Sequence, residues 1–149
     1  MARKPKILFF STGNGMRSRM AAALLRRISG DRLGTASTAV KSVDASPIAA
    51  EVMREVGVDI DAQEAKPVAQ SLKEHFAVVV TLSDDSKERS PVWPFTPWLV
   101  HWNLPDPTTS GAAPEQQREM FRRVRDEIAN LVADLANRVV PKLRTQRNS

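Results

Sequence analysis

The chain has 149 residues, a formal net charge of +5 and no cysteine. This length is enough for one domain whose core needs no disulfide. Seven cations and no acidic residue lie in segments 1–6 and 138–149, and subtracting these seven from +5 leaves −2 for the rest of the chain. No aromatic residues alternate with these cations, no apolar run could span a membrane and no signal-peptide pattern is visible, so we expect no nucleic-acid or membrane partner and a cytoplasmic location.

Strand and helix patterns alternate along the chain, which predicts an α/β fold with parallel strands. The predicted strands are Ile7–Phe10, Thr35–Val43, Ala77–Leu82 and Trp98–Asn103. The predicted helices are Arg17–Ile28, a segment over 46–57 that has a serine cap, an initial proline and a final glycine, and a long amphipathic helix from Pro114 to about Pro141. We expect one domain over residues 1–149, with flexible basic tails at 1–5 and 142–149.

Residues 6–20 predict an anion-binding loop, because a buried strand is followed by a glycine-containing turn and then by a helix. In such a loop, backbone N–H groups and the start of the helix converge on an anion. The guanidinium of Arg17 adds a fork that can bind two oxygens at once. The residues expected around the anion are Thr12, Gly13, Asn14, Gly15, Met16, Arg17 and Ser18.

The segment 11–18, Ser-Thr-Gly-Asn-Gly-Met-Arg-Ser, resembles the Cys-x5-Arg-Ser loop of low-molecular-weight protein tyrosine phosphatases and of the thioredoxin-coupled arsenate reductases in that superfamily. The segment 78–107 is similar to the reductase segment that carries two redox cysteines followed by His-Trp-x-x-Pro-Asp-Pro. The resemblance spans residues 5 to about 140. It implies a three-layer α/β sandwich in which a four-stranded parallel sheet has helices on both faces.

The resemblance also assigns roles to single residues. Ser11 stands at the position of the family's nucleophile, Arg17 at that of the anion clamp and Asp106 at that of the general acid. Ser83 and Ser90 stand at the positions of the two redox cysteines. The chain has no tyrosine, whereas the phosphatases place tyrosines after their Asp-Pro, so the resemblance favours the reductase branch.

We expect no metal site and no cofactor. The reductases have a monovalent-cation site that uses a glutamate of the first helix, and Ala22 occupies the matching position. Two histidines and no cysteine leave few side chains that could hold a transition metal.

The aromatic residues of the second half are interpreted as packing residues. Trp93, Trp98 and Trp102 surround the segment 83–107 and are expected to fill the space beneath a long loop. His101 is expected to be a packed strand residue and not a catalytic base.

Serine at the three cysteine positions changes the expected chemistry. A serine alkoxide is much harder to form than a thiolate, and serine cannot form a disulfide, so we expect no thiol catalysis. Backbone N–H groups and Arg17 do not depend on a thiol, so we expect binding of phosphate, arsenate or sulfate at 11–18. Two origins stay open: a natural pseudoenzyme that senses or sequesters oxyanions, and a cysteine-to-serine form of an arsenate reductase. The alternative is a regulatory protein-interaction module, whose protein partner is unknown and whose oxyanion loop is vestigial.

Overall fold

The computed structural model describes residues 5–11, 16–39, 46–60, 66–82, 93, 97–105, 107 and 113–147. Five parallel strands form one sheet: β1 (Lys6–Ser11), β2 (Gly34–Ala39), β3 (Lys66–Pro67), β4 (Val78–Thr81) and β5 (Trp98–His101). The helices are α1 (Met16–Ser29), α2 (Pro47–Arg54), α3 (Val68–Ser71) and α4 (Pro114–Arg147), and a 3₁₀ turn covers Gly30–Arg32.

The sheet has the order β3-β2-β1-β4-β5, so β1 lies at its centre. Ser11, the last residue of β1, is in register with Ala39 of β2, and Phe10 is in register with Thr81 of β4. All strands point the same way, so their carboxyl ends meet at one edge, where parallel α/β sheets place their ligands. The loops after β1 and β5 both leave the sheet at this edge.

Helices cover both faces of the sheet. On one face, α1, α2 and α4 pack over the larger core, which contains Ile7, Phe9 and Phe121. Leu8, which lies between Ile7 and Phe9 in β1, points to the opposite face of the sheet, because side chains alternate along a strand. There it joins a smaller cluster with Phe76 and Trp93, close to α3. The predicted fold class is confirmed, and β3 adds a two-residue fifth strand at one edge.

The start of α2 follows from its local sequence. The Ser46 hydroxyl accepts a hydrogen bond from the Ala49 N–H at 3.4 Å, and Pro47 occupies the first helical position, where its missing N–H costs nothing. Gly57 follows the helix with a φ of +77°, a conformation that favours glycine. The predicted cap, proline and glycine are therefore all confirmed. Of the predicted second strand, residues 40–43 lie outside the described residues.

The end of α4 corrects the sequence prediction. The helix passes through Pro141 and continues to Arg147, so its backbone includes most of the segment expected to be a flexible tail. Proline lacks the N–H that would bond to the carbonyl four residues earlier, which belongs to Asn137. Asn137 is exposed, so water can hydrate that carbonyl. Among the helices within the described ranges, none is long and apolar enough to cross a membrane.

Ion pairs join the end of α2 to α4. The Arg122 Nη2 and Arg125 Nη1 atoms each lie 2.8 Å from a carboxylate oxygen of Glu55, the C-cap residue of α2. Arg118 Nη2 lies 3.2 Å from Glu51 Oε2. Hydrogen bonds from Arg122 and Arg125 lower the pKa of Glu55 to about 2. This cluster fixes α2 against α4 on the outside of the larger core.

Candidate oxyanion site

The candidate site lies where β1 ends and α1 begins. β1 ends at Ser11 and α1 starts at Met16, so the chain turns at the carboxyl edge of the sheet. The first N–H groups of a helix have no partner inside the helix, and their dipoles favour a negative charge. α1 has no acidic residue in its first turn to compete for these groups. The predicted ligands at 12–15 (Thr12, Gly13, Asn14 and Gly15) lie outside the described residues.

Two buried hydroxyl groups meet at this turn. The Ser11 Oγ donates a hydrogen bond to the Ser18 Oγ at 3.0 Å. Ser11 is 1% exposed and Ser18 is fully buried, so the pair is shielded from water. The structure therefore brings the position of the family's nucleophile against the first turn of α1. A hydroxyl can also donate, so Ser18 could supply a hydrogen bond to a charged group at position 11.

Arg17 connects this turn to the loop after β5. Its Nη1 donates a hydrogen bond to the Leu104 carbonyl oxygen at 2.9 Å, and the residue is 7% exposed. Leu104 precedes Asp106 by two residues, so the predicted anion clamp lies beside the segment predicted to carry the general acid. Asp106 itself lies outside the described residues. This bond accounts for one of the five N–H donors of a guanidinium.

Two further contacts near the site were not predicted from the sequence. The Ser46 N–H lies 3.5 Å from the Met16 Sδ, which links the first residue of α1 to the cap of α2. Arg19 is 4% exposed, and its Nη2 donates to the Ile60 carbonyl at 3.3 Å. Both contacts join residues that are distant in sequence, and no local pattern signals them.

The remaining predicted residues fall into two groups. Ser83 and Ser90 lie outside the described residues. Ala22 is fully buried in the larger core, and its methyl group offers no oxygen to a cation. Within the described part of the chain, no three histidine, aspartate or glutamate side chains are grouped as a metal site would require.

The tryptophans and His101 were all predicted to be packing residues. Trp93 and Trp102 are buried, and the Trp102 ring centroid lies 5.8 Å from that of Phe9, so both rings serve packing as predicted. His101 corrects the prediction of a packed residue, because its side chain is exposed at the edge strand. Its Nδ1 lies 2.6 Å from the Thr81 Oγ1.

Comparisons with known proteins agree with this geometry. Residues 6–146 match the family described as low molecular weight phosphotyrosine protein phosphatase. The chain is 33% identical over 133 residues to the arsenate reductase of Halalkalibacterium halodurans. This aligned region covers 89% of this chain and 96% of that protein.

Two solved structures of arsenate reductases have the same fold. One, in an oxidized state, has a TM-score of 0.71 and 28% identity, covering 89% of this chain and 99% of that chain. Another, described as being in the phosphate binding state, has a TM-score of 0.68 and 27% identity, covering 87% and 98%. The chain therefore belongs to the low molecular weight phosphotyrosine protein phosphatase family, where its relatives include arsenate reductases, and it has serine where that family's loop has its cysteine nucleophile.

Proposed function

We propose that this protein is an arsenate reductase-like protein that binds phosphate or arsenate at residues 11–18 and has no thiol catalysis. The observation that carries the proposal is that buried Arg17 lies in the first turn of α1, the same turn whose Ser18 hydroxyl is hydrogen-bonded to Ser11 at the end of β1. A buried guanidinium at a helix start is a favourable place for a tetrahedral anion. The related reductase structure in a phosphate binding state supports the choice of ligand.

The charge balance of Arg17 also supports an anionic ligand. A charge removed from water is costly unless an opposite charge or several hydrogen bonds compensate it. The described partner of Arg17 is a neutral carbonyl. A phosphate or arsenate would supply both the negative charge and the acceptors that a guanidinium binds in pairs.

The proposed lack of catalysis follows from the composition. Reduction of arsenate by thiols requires sulfur atoms that form and exchange disulfides, and the chain has no cysteine. Serine at position 11 could serve as a nucleophile only if a base removed its proton. In the described structure its hydroxyl is hydrogen-bonded to another hydroxyl, which is not a base. We therefore expect anion binding without turnover, in a natural pseudoenzyme or a cysteine-to-serine form of a reductase.

Calorimetric titration with phosphate, arsenate and sulfate tests the proposal. Phosphate and arsenate should give saturable heat with one site per chain, and Arg17→Gln should weaken this binding by about tenfold or more, because it loses a charged and bidentate donor. Arg19→Gln is the matched control, since Arg19 is also a buried arginine of α1. Its affinity should stay close to that of the parent. Absence of saturable heat with the parent would overturn the proposal and favour the interaction module.

A further inference from the structure

A second concave surface lies at the opposite end of the molecule, between the carboxyl ends of α1 and α4. Both helices begin after strands that end at the carboxyl edge, and α1 runs for 14 residues, or about 21 Å, away from that edge. The groove has a volume of about 240 Å³. We call it the terminal groove, and the lining residues used below are Ile28, Arg32, Leu33, Ala136, Asn137 and Pro141.

The floor of the terminal groove is apolar. Leu33 is buried, whereas Ile28 is 42% exposed. Within the described residues, only Ile28 and Leu99 are large apolar residues with this much exposure. Covering apolar surface with an apolar ligand is favourable in proportion to the area removed from water. An apolar cavity of about 150 Å³ holds benzene, so the larger terminal groove has room for a ligand of somewhat greater size.

The rim of the terminal groove carries a fixed cation. Arg32 donates from its Nε to the Ser29 carbonyl at 3.1 Å and from its Nη2 to the Ile28 carbonyl at 3.2 Å. These bonds cap α1 and account for two of the five N–H donors of the guanidinium. Asn137 also lines the groove, and a side-chain amide can donate to an anion.

The charges around this end of the molecule favour an anionic ligand. Arg26 and Arg27 are exposed in the last turn of α1. Clustered cations of this kind raise the local concentration of anions.

We propose that the terminal groove binds a small anionic amphiphile, a carboxylate with an aliphatic or aromatic body. The apolar body would cover Ile28 and Leu33, and the carboxylate would accept hydrogen bonds from Arg32 and Asn137. This site is separate from the oxyanion site and does not depend on the function proposed for it.

Calorimetric titrations with octanoate, octan-1-ol and octyltrimethylammonium, all below their micellar concentrations, test the charge requirement. Octanoate should bind with one saturable site, octan-1-ol about three- to fivefold more weakly because it lacks the ionic contact, and octyltrimethylammonium not measurably. Arg32→Gln should reduce octanoate affinity to that of octan-1-ol while leaving octan-1-ol affinity unchanged. Arg138→Gln is the matched control, since Arg138 is exposed on the same helix end and pairs with Asp134. It should change octanoate affinity less than twofold.

The location is tested separately with Ala136→Trp, which should fill the terminal groove and abolish binding of both octanoate and octan-1-ol. Ile28→Gln, at a half-exposed position, is the second variant if the larger side chain lowers the Tm. Octanoate binding that survives in both folded variants, or that phosphate competes away, would place the ligand elsewhere and overturn the proposal. Equal affinity for all three probes would do the same. So would co-sedimentation with anionic phosphatidylglycerol vesicles without octanoate binding, because the basic end would then recognise a surface and not a small molecule.

Discussion

Two largely buried arginines of this protein have very different surroundings. Arg125 lies between α2 and α4 with its side chain 11% exposed, and it pairs with the carboxylates of Glu55 and Asp126. Arg17 lies at the carboxyl edge of the sheet and is 7% exposed, and its described partner is the neutral carbonyl of Leu104. Burial is therefore similar for the two residues, and the charge of the partner is what differs.

Under the proposed function, this difference separates an arginine that stabilises the fold from one that binds the anion. The charge of Arg125 is balanced within the protein, so removing a partner weakens the contact between two helices. The described group that accepts a hydrogen bond from Arg17 is a neutral carbonyl and not a carboxylate. A bound oxyanion would therefore balance the charge of Arg17. Arg17 should therefore govern anion affinity, and the Glu55 cluster should govern stability alone.

The largest expected effect comes from restoring the nucleophile. In Ser11→Cys, the start of α1 and the Ser18 hydroxyl should stabilise a thiolate, and hydrolysis of p-nitrophenyl phosphate should rise from undetectable in the parent to a measurable rate. Ser11→Ala is the control and should stay inactive. A thiol of ordinary pKa in Ser11→Cys, with no hydrolysis, would show that the loop is not preorganised for anion chemistry.

The two other serines extend this test to reduction. Arsenate reduction coupled to thioredoxin should be undetectable in the parent and in Ser11→Cys, because three thiols are needed to pass the electrons on. Adding Ser83→Cys and Ser90→Cys should produce thioredoxin-dependent NADPH oxidation if the relay positions are intact. Activity in the parent above the rate without protein would contradict the proposed loss of catalysis.

A smaller effect is expected when Arg17 is replaced by a residue that keeps the positive charge but cannot form two parallel hydrogen bonds to the anion. Arg17→Lys should lower phosphate affinity by about tenfold, because an ammonium cannot bind two oxygens in one plane. Arg125→Lys is the matched control in burial and should leave phosphate affinity unchanged. Titration of both variants with phosphate, monitored by calorimetry, measures the difference. Equal losses in the two variants would remove the distinction between the two arginines.

The sequence predicted most of the fold because its signals were local. The Ser46 cap and Pro47 mark the start of α2, and alternating or continuous apolar runs mark β1, β4 and β5. Local signals also misled: Pro141 suggested the end of α4, yet the helix continues to Arg147. The two-residue strand β3 is too short to have a pattern of its own.

For the candidate site, the sequence predicts a set of residues but not the partners that the described ones have in the structure. The approach of Ser11 to Ser18 follows from a turn between adjacent elements, so a local motif could indicate it. The bond between Arg17 and Leu104 joins residues 87 positions apart and depends on the packing of β5 beside β4. The terminal groove likewise arises from the meeting of two helix ends. Such contacts require the tertiary arrangement and have no signature in a single segment.

A modest loss of stability is expected when the ion pairs between α2 and α4 are broken. Glu55→Gln removes the carboxylate that Arg122 and Arg125 share, and the Tm should fall by about 2–4 °C while phosphate affinity stays the same. Glu119→Gln is the control, because its pairs with Arg122 and Arg123 are long and lie within one helix. Thermal unfolding followed by circular dichroism should show no change for this control.

The smallest effect is the dependence of that loss on pH. The folded protein lowers the pKa of Glu55 from an ordinary value of 4.5 to about 2, so between these values the unfolded chain binds more protons than the folded one. Stability then rises with pH in this range. The stabilisation of the folded protein by ionised Glu55 is complete above pH 4.5 and is lost as the pH falls towards 2.

The Tm difference between the parent and Glu55→Gln should follow the same course. It should be constant from pH 7 to about 5 and should shrink towards zero as the pH approaches 2, because a protonated Glu55 and a glutamine are both neutral. Paired melting curves at each pH measure this difference and cancel the titration of all other groups. A difference that stays constant down to pH 2 would show that folding does not lower the pKa of Glu55, and one that grows on acidification would contradict the stabilising role of its two arginines.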